Sequence, residues 1–405
     1  MGVSSPPRRA SMRSWLSLCF VYALFISMLQ PAAADTQINT TILARARAAI
    51  DDMMTLYDET TGRWETAGPW WHNGLALQAV LDYTKLTGDF EYMSKAKYTV
   101  EMQRQPLDWW PEGGGNFRAD STDDTGWWAL AMITMYEVTG DTEYLDIAMQ
   151  DEAYMYNYWD TTTCFGGLIW SIRNGTYHNA ISNELYLELT ATLHNLIPGD
   201  TVYLSRSLAE WEWFKASGMI NRARLVNDGL SENSSCTNNG MPTWTYNQGV
   251  ILRGLAQLHK ATRDQETPRQ DLLPTARAIA DATISRSGGL VWWDGTLTEP
   301  CATAADCEPN GTAFKGIFMR GLAALNDVLD DHPYDDFIAN NARLAYANAR
   351  NGSSSFYGFS WRYPYDETSI GRQVSAVDLL LAATTQHTQE ERKHGGEEDE
   401  DESSG

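Results

Sequence analysis

Leu86-Thr87-Gly88-Asp89-Phe90-Glu91-Tyr92 recurs 52 residues later as Val138-Thr139-Gly140-Asp141-Thr142-Glu143-Tyr144. In both copies an Ala- and Leu-rich pattern of helical period runs up to Thr-Gly-Asp, and a second helical pattern starts just after it. Glycine just past a helix accepts the left-handed backbone that stops it, and aspartate offers a side-chain oxygen to the first free amides of the next. Working outward, the same grammar predicts first helices over residues 74–86, 127–138, 183–196, 248–262 and 315–329. Second helices are predicted over 91–103, 144–158, 201–217 and 274–285. A second marker, Gly166-Gly167-Leu168-Ile169-Trp170, returns 122 residues later as Gly288-Gly289-Leu290-Val291-Trp292, with Tyr357-Gly358-Phe359-Ser360-Trp361 as a later cousin. Strand signals are confined to these connectors. The chain therefore reads as all-α, built from about six helical hairpins of about 60 residues, which can close into a double ring. An open solenoid would carry polar capping repeats at its ends, and the sequence shows none.

Polar and aromatic clusters stand immediately before the first helix of successive hairpins. They are Trp70-Trp71-His72-Asn73-Gly74, Asp123-Asp124-Thr125-Gly126-Trp127, Ile181-Ser182-Asn183-Glu184, Thr245-Tyr246-Asn247-Gln248-Gly249 and Ala313-Phe314-Lys315-Gly316. Each alone could be ordinary capping. Five in register point to a shared cleft on one face of the ring, and 16 Trp and 19 Tyr give a sugar-binding groove the apolar ring faces it needs. Many of these rings must still be core: Trp211 and Trp213 cannot share a helix face.

The Asp123-Asp124 pair carries the chemistry. Glycoside hydrolysis needs one protonated carboxyl to release the leaving oxygen and one ionised carboxyl to attack the anomeric carbon or to activate water. Adjacent like charges push their pKa values apart, which favours that division. The same two acids would also suit the first turn of a helix, where the dipole favours negative charge, and Ser121-x-x-Asp124 loosely resembles a capping box.

The chain's ends indicate a secretory route. Residues 1–34 read as a signal peptide, with Arg8, Arg9 and Arg13 before an apolar stretch and Ala32-Ala33-Ala34 at the cleavage site. Residues 389–405 read as an acidic, disordered tail, leaving 35–388 as the folded domain. No apolar segment follows that tail, so neither a GPI signal nor a stable membrane anchor is expected. Five N-glycosylation sequons begin at Asn39, Asn174, Asn233, Asn310 and Asn351. Four cysteines remain after the leader. Of three possible connectivities the favoured one joins Cys301 to Cys307 as a short staple and Cys164 to Cys236 as a long bridge. The net charge of −23 excludes nucleic acid and anionic lipid as partners and suits a neutral glycan. No cofactor and no metal is expected, because no ligand spacing is visible.

With these residues in view the chain resembles glycoside hydrolase family 76. The resemblance rests on Asp123-Asp124-Thr125-Gly126-Trp127-Trp128-Ala129-Leu130-Ala131 with Tyr136-Glu137-Val138-Thr139-Gly140-Asp141, on Trp244-Thr245-Tyr246-Asn247-Gln248-Gly249-Val250, and on Gly166-Gly167-Leu168-Ile169-Trp170, and it spans roughly residues 38–385. It implies an (α/α)6 barrel and endo-acting hydrolysis of α-1,6-mannan or mannoprotein glycan with retention. Asp123 would be the nucleophile and Asp124 the acid/base. Consecutive Cα atoms lie about 3.8 Å apart, so diverging side chains can reach the roughly 5–5.5 Å that retention requires. Substrate contacts are expected from Asn73, Tyr246, Asn247 and Gln248, and subsite walls from Trp70, Trp71, Trp127 and Trp128. His72 is open between a hydroxyl contact and a buried structural role. The resemblance extends to fungal cell-wall transglycosylases that move mannan cores onto wall glucan. The missing GPI tail and the Thr125-Gly126-Trp127-Trp128 run both favour a free secreted hydrolase, and a monomer is expected. A non-catalytic mannan-binding protein and a helical scaffold for peptides are the alternatives of other classes.

Overall fold

The computed structural model describes Met1, Gly2 and residues 37–387 apart from 174, 233–234, 266–267, 302–303 and 308. Gln37–Gly405 forms one compact unit. The expected leader beyond Gly2 and the acidic tail lie outside the described residues.

Among the described residues, twelve long helices alternate between an outer and an inner ring. The outer ones are α1 (Thr40–Met54), α3 (Met93–Gln103), α5 (Thr142–Tyr156), α7 (Val202–Ser217), α9 (Leu272–Ile284) and α11 (Asp335–Leu344), which runs on into a π-turn. The inner ones are α2 (Trp70–Thr87), α4 (Thr122–Thr139), α6 (Ala180–Leu196), α8 (Thr245–Thr262), α10 (Phe314–Asn326) and α12 (Ile370–Ala382). Each inner helix packs on the next, and α12 returns to pack on α2, so the ring is closed. The sequence explains which ring a helix joins. Inner helix α2 buries residues on every side, His72, Asn73 and Gln78 included, whereas outer helix α3 buries only Met93, Ala96, Thr99, Val100 and Gln103 along one stripe.

Glycine sets the inner ring's tightness. A Cβ on Gly321 of α10 would lie 2.0 Å from the carbonyl oxygen of Gly249 on α8, and one on Gly316 would lie 2.4 Å from Ser375 Cα on α12. Backbones at that distance leave no room for a side chain between them.

The Thr-Gly-Asp signal works as read in its second copy. Gly140 closes α4 at φ 72°, and Asp141 caps α5 by accepting from Glu143 N at 3.0 Å. In the first copy Gly88 closes α2, but Asp89 Oδ1 accepts from Glu91 N within a turn, and α3 starts only at Met93. Helices α1, α11 and α12 were not among those predicted. The connectors are a correction. Leu168 bridges Trp159, Val291 bridges Leu297 and Tyr357 bridges Arg350 as isolated pairs. The two strands described are instead β1 (Gln37–Ile38) and β2 (Thr385–Gln386), which pair antiparallel and join the two ends of the domain. Both expected disulfides, Cys164–Cys236 and Cys301–Cys307, are formed. Trp211 is wholly buried, and Trp213 packs partly exposed against the core.

Candidate active site

The starts of the inner helices converge on a cleft of about 430 Å3 lined by Trp71, Ser121, Asp123, Asp124, Trp127, Trp170, Tyr177, Asn179, Asp228, Tyr246, Asn310 and Phe314. Residue 121 ends an extended segment, and α4 begins at Thr122, so Asp123 and Asp124 fall in its first turn. The acids sit where a helix dipole favours them, and both line the cleft. The capping box does not form, since Ser121 makes no side-chain cap bond.

The two carboxyls differ in their partners. Asp123 Oδ1 accepts from Trp170 Nε1 at 3.0 Å and from the backbone amide of Asp124 at 2.9 Å. Burial pushes its pKa up to about 6, and the donors, Ser121 among them, oppose that rise. Asp124 has no such donors among the described residues. Burial, then the charges of Asp123 and Asp120, push it well above the ordinary carboxylate range. Of the two, Asp123 is the more readily ionised and Asp124 holds its proton more tightly.

Aromatic rings form the walls. Trp71 stacks on Trp127 at 5.4 Å, and Trp71 Nε1 donates to Asn310 Oδ1 at 3.0 Å. Tyr246 and Phe314 stack at 3.8 Å. Behind that stack Glu299 accepts from the backbone amide and hydroxyl of Thr245, and the buried Lys315 ammonium sits 3.9 Å from the Phe359 ring. Past Trp170, Tyr177 and Asp228 the cleft opens into a second depression of about 550 Å3, bordered by Leu230, Glu232, Asn239 and Met241.

Of the residues the sequence put forward, Asp123, Asp124, Trp71, Trp127 and Tyr246 come together in the cleft. The others do not reach it. Asn73 Oδ1 accepts from the amides of Trp64 and Glu65 while its nitrogen donates to the Glu65 and Trp70 carbonyls, so it pins the preceding loop to α2. Gln248 does the same for Val226 and Trp244. Trp128 is wholly buried between Phe117 and Trp70, rings 4.7 and 4.9 Å away. Asn247 is buried, with both amide atoms unpartnered among the described residues, and does not line the cleft. His72 is buried beneath Trp71, and burial lowers its pKa to about 4, which keeps it neutral. Sequence reasoning missed Trp170, Tyr177, Asn179 and Asp228. Trp170 had a usable signal in the recurring Gly-Gly-Leu-x-Trp run, and Asp228 had none.

A closed double ring of helices with two adjacent carboxyls on the floor of an aromatic cleft defines a glycoside hydrolase. The comparisons agree. The model of glycosyl hydrolase family 76 matches residues 41–394, and the chain belongs to that family. It is 26% identical to the mannan endo-1,6-alpha-mannosidase DFG5 of Saccharomyces cerevisiae over 394 residues, covering 90% of this chain and 82% of the relative. To a putative mannan endo-1,6-alpha-mannosidase of Schizosaccharomyces pombe it is 27% identical over 371 residues, covering 87% and 80%. Among solved structures, an inactive double aspartate-to-alanine variant of the alpha-1,6-mannanase GH76A of Salegentibacter sp. HEL1_6, in complex with alpha-1,6-mannotetrose, superposes with a TM-score of 0.73 at 21% identity, over 85% of this chain and 98% of that one. Dfg5 from Chaetomium thermophilum in complex with glucosamine gives 0.73 at 21% identity, over 91% and 100%. The double ring is thus the (α/α)6 barrel of this family, and the chain is a glycosidase.

Proposed function

We propose that this chain is a secreted, endo-acting hydrolase of α-1,6-mannosidic bonds that retains configuration. The observation that carries the reading is the unequal treatment of two adjacent carboxyls in one aromatic cleft: among the described residues Asp123 takes a Trp170 donor, and Asp124 takes none. Asp123, the more readily ionised, attacks the anomeric carbon. Asp124 gives its proton to the leaving glycosidic oxygen, which frees one sugar chain and leaves the other ester-linked to Asp123. Asp124, now a carboxylate, takes a proton from water, and the hydroxide oxygen displaces Asp123. The named relatives support α-1,6-mannan as the substrate. The disulfides and the sequons support the secretory route.

One observation favours a second reading. The depression past Asp228 offers room for a long acceptor, so a sugar hydroxyl in place of water would make the enzyme a cell-wall transglycosylase. Incubation with linear α-1,6-mannan oligosaccharides, followed by NMR and mass analysis, separates the two. Short products of initial α configuration support hydrolysis with retention. Products longer than the substrate support transfer. Initial β configuration overturns the assigned roles.

A further inference from the structure

The sequon Asn310-Gly311-Thr312 lies in a place the other described sequons do not. Asn39 caps α1, and Asn351 accepts from Ser353 in a loop. Asn310 lines the catalytic cleft beside Trp71 and Phe314. Its Oδ1 is held by Trp71 Nε1 at 3.0 Å, the residue is exposed, and its amide nitrogen has no hydrogen-bond partner among the described residues. An N-linked glycan attaches to that nitrogen and leaves the carbonyl oxygen free to accept. The Trp71 bond therefore survives the modification.

We propose that Asn310 carries an N-linked glycan that forms one lip of the catalytic cleft and restricts long or branched mannan. The inference rests on the secretory reading above. Attachment transfers an oligosaccharide from a lipid pyrophosphate donor of the secretory pathway: the bond from the anomeric carbon to phosphate breaks, a bond from that carbon to Asn310 Nδ2 forms, the amide gives up a proton, and lipid pyrophosphate leaves. It precedes folding, because Thr312, whose hydroxyl the transfer requires, is buried in the folded chain with that hydroxyl donating to the Pro309 carbonyl at 2.8 Å. Once the chain folds, the Cys301–Cys307 bridge and the turn Asn310–Thr312 fix where the glycan starts. Its first sugar is bonded to an atom of a cleft-lining residue, so the oligosaccharide occupies space that a branched polymer would need, whereas a short linear oligosaccharide has less to clash with.

Glycopeptide mass mapping of the protein secreted by a fungal host tests occupancy. The expected result is a glycan at Asn310. A bare Asn310 on the secreted protein overturns the proposal alone, whether or not the other sequons carry glycans, whereas a full chain that stays inside the host overturns the secretory reading and the proposal with it. Two routes test the role. Thr312→Ala removes the sequon and spares Asn310, and Thr312→Ser keeps the sequon as its control. Endoglycosidase H trims the folded wild-type glycan without altering a residue, so the test survives a variant that fails to fold. Removal of the glycan by the variant, or of all but its first sugar by the enzyme, is expected to raise kcat/KM on long branched mannan at least about threefold, while that on linear α-1,6-mannotetraose stays within about twofold. Equal effects on both substrates, or none on either, overturn the lip.

Discussion

Trp170 Nε1 donates to Asp123 Oδ1 at 3.0 Å, from a connector 47 residues further along the chain. The bond favours the ionised form of Asp123 and opposes the burial that raises its pKa toward about 6. Asp123 must be ionised to attack, so activity rises with pH through that value. It falls again where Asp124, held well above the ordinary range, loses its proton. Trp170→Phe keeps the ring and deletes the donor. The acidic limb of the kcat/KM profile is expected to move to higher pH by about one unit, since a hydrogen bond to a charged group is worth about 1.5–3 kcal/mol. An unmoved limb would show that the bond does not tune Asp123.

Asp123→Asn and Asp124→Asn should each lower turnover by at least about a thousandfold while leaving the helical circular dichroism intact. Wild-type rates in either variant sink the two-carboxyl mechanism. The same variants carry a stability signature. A carboxyl whose folded pKa is raised binds its proton more tightly folded than unfolded, so it destabilises the fold progressively as pH climbs from its ordinary value of 3.8 through the raised one. A neutral amide escapes that penalty. Asp124→Asn should therefore melt higher than wild type at pH 7, by about 1–2 °C for each kcal/mol relieved in a domain of this size, and the gap should close toward pH 4.

The ring was legible because its signals are local. Period, Thr-Gly-Asp stops and repeat spacing act within a few residues, and they located nine helices to within a few residues at most ends. Helices α1, α11 and α12 were missed because neither marker stands at their starts: α1 follows the leader, α11 follows a His-Pro turn, and α12 follows the most diverged connector. The site was half legible. Each inner helix start offers polar and aromatic residues in consecutive positions, and a helix sends consecutive residues in directions about 100° apart, so only some can face the cleft. Asp123, Trp127, Trp71 and Tyr246 face it, while Trp128, Asn73 and Gln248 turn to the wall. Trp170 and Asp228 arrive from other hairpins, and no local signal tells where a loop lands.

Glu299 and Lys315 are both buried, and each feels the other's charge. Burial raises Glu299 to about 7 and lowers Lys315 to about 8, each offset by the other's charge. Glu299 also caps α8 through Thr245, one residue before Tyr246, and Lys315 follows Phe314 directly. Glu299→Ala should cost about 3–5 kcal/mol in urea unfolding, since it strands a buried ammonium and uncaps a helix at once. It should also raise KM by loosening the stacked wall. Adding Lys315→Met should recover much of the stability. Failure to recover would show that the cap, not the buried charge on Lys315, carries the cost.

The two disulfides should differ in worth. Cys164–Cys236 spans 72 residues and Cys301–Cys307 spans 6. A bridge acts mainly by restricting the unfolded chain, and that restriction grows with the loop it closes: about 4 kcal/mol for the long one and about 2 kcal/mol for the short. Replacing both cysteines of the long bridge by serine should therefore lower the denaturation midpoint about twice as far as the same change at the short one. Activity should rank them the other way. The long bridge ties the Trp159–Leu168 connector to the segment after α7, whereas the short one ends three residues before Asn310, a cleft wall residue held by Trp71. Loss of the short bridge is expected to raise KM for mannan oligosaccharides more than loss of the long one at temperatures where both variants are folded. If KM follows stability instead, the loop from Cys301 to Asn310 holds its place without its staple.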